Sequence, residues 1–63
     1  MLNVEKLREL RKKKGLTHQE VADRLGLTRA AYSNYESGFR TPNIETACKL
    51  AKLYGVKVET LVK

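Results

Sequence analysis

"LTHQEVADRLGLTRAAYSNYESG", residues 16–38, is the stretch on which the fold of this chain turns. Thr17 and Glu20 have the spacing of a capping box, in which a hydroxyl and a carboxylate each satisfy a backbone N–H left open at a helix start. Leu16 and Val21 fit the hydrophobic staple around that cap. Val21, Ala22 and Leu25 supply an apolar face, and Gly26 offers the left-handed residue that ends the helix. Only Leu27 then separates Gly26 from Thr28, which caps a second helix closed by Gly38. Two helices are therefore joined by a very tight turn.

Working outward, "NVEKLRELRKKKG" at 3–15 places Val4, Leu7 and Leu10 on one helical face. Asn3 can cap it, Glu5 suits the positive end of the helix dipole, and Arg11 to Lys14 suit the negative end. Beyond Gly38, "FRTP" reads as an irregular loop, with Pro42 enforcing an extended backbone before the next helix. That helix, "NIETACKLAKLYG" at 43–55, is capped by Asn43. Its expected apolar stripe is Ile44, Ala47, Cys48, Ala51 and Tyr54, widened by Leu50 and Leu53. A last short helix is expected in "VETLVK" at 58–63, with Val58, Leu61 and Val62 apolar. With no strand alternation, repeat or linker, the expectation is an all-α chain: five short helices around one core, a single domain over 1–63.

Sixty-three residues bury only about 60% of their unfolded surface, so the core must be compact. A single cysteine, Cys48, cannot form an internal disulfide and has only one histidine, His18, beside it for metal. Its place on an apolar stripe marks it as a small buried hydrophobe, and an unpaired thiol suits a reducing cytoplasm. The first ten residues mix charge into apolar positions, unlike a signal peptide or a membrane span. Thirteen Lys/Arg against seven Asp/Glu leave +6, a balance that favours polyanions such as nucleic acid, an anionic membrane face or an acidic protein. Neither a paired-carboxylate, a Gly-rich phosphate loop nor a Cys–His arrangement points to an enzyme, and nothing indicates a cofactor, a metal or a small-molecule ligand.

The second helix of the central pair carries the functional signal. At about 100° per residue, Thr28, Ala31, Tyr32 and Tyr35 are expected inward, with Arg29, Ala30, Ser33 and Asn34 nearly opposite. A face meant for water alone is normally rich in Lys and Glu. Short directional groups instead match base edges: Arg pairs with guanine, Asn with adenine, and Ala meets a thymine methyl. Behind a tight turn, such a helix, at about 28–37, looks like a reader of the DNA major groove.

The chain resembles the lambda-repressor-like helix-turn-helix family of phage repressors, Cro proteins and their bacterial relatives. The resemblance spans about residues 4 to 62 and is carried by "GLTHQEVADRLG", by "YSNYESG" followed by "RTP", and by "LAKLYGV". It implies a five-helix domain whose second and third helices form the helix-turn-helix. It also implies a prokaryotic or phage-type, cytoplasmic transcriptional regulator, usually a repressor, that binds a pseudo-palindromic double-stranded operator as a homodimer.

Carried over by position, Thr28, Arg29, Ala30, Ser33 and Asn34 match the family's groove-facing residues. His18, Gln19, Ser37, Arg40 and Thr41 match its backbone-phosphate contacts. His18 is a departure, since relatives often have Gln at the first helical position. An imidazole there can still donate to a phosphate, helped by the helix N-terminus, and adds pH sensitivity. Arg11 and Glu36 match a pair that ties the first helix to the reading helix. Tyr32 replaces an aliphatic residue, so its ring is expected in the core with the hydroxyl at the rim. Phe39, Val56 and Val58 offer apolar surface for a dimer interface, with completion of the monomer core the other role open to Val58. Lys12, Lys13 and Lys14 either approach flanking phosphates or form a solvated last turn. The rival reading is an antitoxin or small accessory protein that uses the fold to hold a partner protein. Such proteins need a further segment, and the sequence runs out at Lys63, which favours the DNA-binding reading.

Overall fold

The computed structural model describes residues 2–62. Four α-helices follow one another: α1 Val4–Lys13, α2 His18–Leu25, α3 Arg29–Ser37 and α4 Ile44–Tyr54, then a 3-10 helix Val58–Leu61. Each α-helix starts at a side-chain cap. Asn3, Thr17, Thr28 and Asn43 accept from the backbone N–H of Lys6, Glu20, Ala31 and Thr46. The capping box is complete, with Glu20 accepting from the Thr17 N–H at 2.9 Å and Thr17 from the Glu20 N–H at 3.1 Å. Gly26, at φ +69°, makes the three-residue link between α2 and α3 possible, because a side chain there would be strained.

The all-α class holds, but the helix count is four rather than five. Val58–Leu61 forms a single 3-10 turn. Its Lys57 start has no side-chain cap, Val58 and Thr60 are β-branched, and four residues are too few for a costly α nucleus to propagate. Packing holds it instead: Leu61 is fully buried, and the turn rests on α4 and α1. Lys63, assigned to that helix from the sequence, lies outside the described residues. The two ends of the chain meet where the Asn3 N–H donates to the Leu61 carbonyl at 2.7 Å, beside an isolated antiparallel bridge between Leu2 and Val62. Among the described residues no helix is long and apolar enough to cross a membrane.

The core draws Leu7 from α1, Val21 and Ala22 from α2, Tyr32 from α3, Leu50, Ala51 and Tyr54 from α4, and Leu61. The stripe expected on α4 is narrower than its sequence pattern: Ile44 is 73% exposed and Cys48 is exposed. Cys48 sits about 110° around the helix from the centre of the buried set, and Ile44 lies in the first turn, beyond the reach of neighbouring helices. The thiol is therefore no core residue. Val56 and Val58 are half-buried against the core, so the part of the expected dimer surface that they were to supply is largely used within the chain. Thr28, grouped with the inward residues, is exposed because its role is to cap.

Tyr32 is entirely buried, and its hydroxyl is not at the rim. It meets the Tyr54 hydroxyl at 2.6 Å, joining α3 to α4 through the middle of the core. Burial drives both phenols above the ordinary tyrosine range, so both stay neutral. Tyr32→Phe should leave the Tyr54 hydroxyl without its partner, costing about 1–3 kcal/mol in urea denaturation. Tyr32→Phe combined with Tyr54→Phe should cost less than the two single changes added together. Strict additivity would show that the hydroxyls act independently.

Candidate nucleic-acid interface

Glu36, one turn beyond Tyr32 on the inner side of α3, is 4% exposed. A buried carboxylate is tolerated only when it is paired and hydrogen-bonded. Arg11 supplies both from α1: its Nε donates to Glu36 Oε2 at 2.6 Å and its Nη2 to Oε1 at 3.3 Å. The remaining guanidinium nitrogen, Nη1, donates to the Leu16 carbonyl at 2.9 Å, fastening the turn between α1 and α2 as well. Burial pushes the Glu36 carboxyl up, yet the hydrogen bonds and the charge of Arg11 outweigh it and hold it below the ordinary carboxylate range. The Glu36 hydrogen bond raises Arg11 in turn.

With that inner face held, α3 turns a defined edge outward. Thr28, Arg29 and Ala30 are exposed, while Ser33 and Asn34 are half-buried. Among the described residues Arg29 has no ion-pair partner. The loop after α3 is tied back to it, since the Arg40 N–H donates to the Asn34 carbonyl at 3.1 Å. The side chains of Arg40 and Thr41 are exposed. The exposed Gln19 amide donates to Asp23 Oδ1 at 2.7 Å, a contact one turn along α2 that water can replace.

Two residues assigned to phosphate contacts are engaged inside the chain. Ser37 Oγ donates to the Asn34 carbonyl at 3.1 Å and accepts from the Phe39 N–H at 3.3 Å, so it shapes the loop instead of standing free. His18 does not point at solvent from the start of α2. Its Nδ1 lies 2.7 Å from Ser33 Oγ and its Nε2 3.3 Å from Glu36 Oε1, with the ring edge-on to Tyr32. The sequence carries no local signal for this, because fifteen residues separate His18 from Ser33.

A family model described as helix-turn-helix matches residues 7–61. The chain belongs to the helix-turn-helix family. It is similar to the HTH-type transcriptional regulator AnsR of Bacillus subtilis, 41% identical over 97% of this chain and 53% of that protein. It is also similar to the cryptic phage CTXphi transcriptional repressor RstR of Vibrio cholerae, 44% identical over 90% of this chain and 51% of that protein. An uncharacterized HTH-type transcriptional regulator of Methanocaldococcus jannaschii is 36% identical over 89% of this chain and 85% of that protein. The chain thus spans about half the length of the two bacterial relatives. In this helix-turn-helix chain, α2 and α3 follow each other across Gly26, Leu27 and Thr28.

A folded-state carboxyl pKa below the unfolded value adds stability above the unfolded value, and that stability is lost as pH falls through the folded one. The Glu36 contribution should therefore be complete at neutral pH and fade below about pH 4. Arg11→Ala should cost about 3–5 kcal/mol at neutral pH, because Glu36 is left buried and unpaired. Lys13→Ala, at an exposed site, should change little. Denaturant midpoints at neutral and acid pH check both, and the gap between Arg11→Ala and the parent should shrink in acid. Equal midpoints for the two variants at neutral pH would remove the pair from its place in the fold.

Proposed function

We propose that this chain is a single domain, 1–63, that binds double-stranded DNA sequence-specifically in a prokaryotic or phage-type transcriptional regulator acting as a repressor in the cytoplasm. The observation that carries this is α3: its inner side is fastened by Glu36 and Tyr32, and its outer edge displays Arg29, Ala30, Ser33 and Asn34. A helix held in that way can enter a groove without losing its own packing. Arg29 reads guanine by a bidentate contact, Asn34 reads adenine, Ala30 meets a thymine methyl, and Thr28 lies at the helix start. Arg40 and Thr41 set the register against the backbone, joined by Gln19 from α2. The name of RstR, a phage repressor, supports the repressor role, and no catalytic chemistry or cofactor is required.

One reading helix covers only a few base pairs, so the functional unit is a homodimer on a pseudo-palindromic operator. Phe39, 77% exposed on the loop after α3, with Ile44 five residues on, supplies apolar surface for that contact. Val56 and Val58 contribute only their outer edges. The patch is small, which makes self-association weak off DNA and cooperative on it.

Affinity for a selected duplex should fall steeply with salt, as basic residues displace counterions from phosphates. A flat dependence, or no selected duplex at low salt, would sink the DNA reading. Arg29→Ala should cost about 1–3 kcal/mol on the best site and relax the preference at one base pair. An equal loss on all sequences would make Arg29 a phosphate contact. Half-sites should lie about 10 base pairs apart, and a palindrome should be bound cooperatively and more tightly than one half-site. Phe39→Ser should abolish that cooperativity while leaving half-site affinity intact. Non-cooperative filling of both half-sites by the parent chain would mean that it acts as a monomer.

A further inference from the structure

Ser33 lies on the outward edge of α3, yet its hydroxyl is hydrogen-bonded to an imidazole. His18 Nδ1 is 2.7 Å from Ser33 Oγ, while Nε2 is 3.3 Å from Glu36 Oε1. The ring is held edge-on to Tyr32, with centroids 5.6 Å apart and planes at 81°. From α3 the groups facing it are Glu36, Ser33 and Tyr32. From α1, Arg11 grips the same Glu36 carboxylate, and from its own helix the imidazole has the positive N-terminal end of α2.

A neutral imidazole carries one N–H. Glu36, ionised against Arg11, can only accept, so the proton belongs on Nε2 and Nδ1 is a bare acceptor. Ser33 then donates its single hydroxyl proton to Nδ1, and only lone pairs remain directed outward. A protonated imidazole reverses the bond: Nδ1–H donates to Oγ, and the hydroxyl proton is released toward solvent.

We propose that His18 sets the hydrogen-bond polarity of Ser33 and through it the base edge that Ser33 reads. The inference rests on α3 lying in the major groove. With neutral His18, Ser33 is an acceptor and selects the amino groups of cytosine or adenine. With charged His18 it donates and selects guanine N7 or O6, adenine N7 or thymine O4, so adenine suits both states and cytosine only the neutral one. His18 is a positioning residue that need not touch DNA itself. One neutral hydrogen bond corresponds to a preference of about 2- to 10-fold.

Duplex selection from a random pool at about pH 8 and about pH 5.5 tests this. One position of the half-site should shift from cytosine toward guanine or thymine on the strand read, by about 2- to 10-fold, with adenine accepted at both pH values. In His18→Gln, whose side chain does not titrate, the shift should vanish. Ser33→Ala should show no preference at that position at either pH. An unchanged base preference in the parent chain, a shift that persists in His18→Gln, or a uniform loss of affinity in Ser33→Ala would each overturn the proposal. The long-range ¹H–¹⁵N spectrum of the free chain gives a readout without DNA. The Nε2–H tautomer is expected at about pH 8, and the Nδ1–H tautomer would overturn the polarity assignment even if DNA binding persists. If the Nε2–H tautomer is seen but no duplex is selected at either pH, the DNA reading has failed, and the role given to Ser33 falls with it.

Discussion

A carboxylate removed from water sits at the centre of this molecule, on the inner side of the helix that presents its most distinctive polar edge. Left unpaired, Glu36 would cost several kcal/mol, a large part of the stability of any small domain. Arg11 meets it with two N–H donors from α1 and uses the third guanidinium nitrogen on the Leu16 carbonyl. His18 closes the arrangement from α2. Three helices are thereby referred to one carboxylate, and the rotation of α3 about its own axis is no longer free. That rotation decides which side chains of α3 face outward.

The Tyr32–Tyr54 hydrogen bond does the same for α4. Aliphatic packing alone tolerates small rotations and slips, because its energy changes gradually with position. A buried hydroxyl pair does not, since each oxygen is satisfied only over a narrow range of distance and angle. Among the described residues no buried side-chain nitrogen or oxygen lacks a partner, so this polar interior is fully matched. A chain with so small a core gains a single arrangement from these bonds.

Much of the fold was legible residue by residue. Asn3, Thr17, Thr28 and Asn43 start helices, and Gly15, Gly26, Gly38 and Gly55 take left-handed backbone where helices end. Caps and glycines act within a few residues of themselves, so sequence spacing captures them. The outward edge of α3 was legible for the same reason. The expected fifth helix was not realised, because an apolar spacing at Val58, Leu61 and Val62 does not reveal that the segment is too short and uncapped to sustain α-helical bonds. Cys48 follows helical spacing but lies outside the arc that neighbouring helices cover, and Ile44 sits in the exposed first turn of α4.

By itself the sequence determined where the four α-helices begin and stop, which residues of α3 share an edge, and the basic balance that favours a polyanion. All of these follow from local backbone chemistry, helical periodicity or composition. The tertiary structure alone decided that His18 turns inward to Ser33 and Glu36, that Ser37 is used by its loop, and that Val56 and Val58 finish the core. Those outcomes depend on pairs of groups far apart along the chain or on the surface that one helix happens to cover on another. A side chain with several possible partners takes the one that packing brings within about 3 Å, and that distance is set only once the helices have docked.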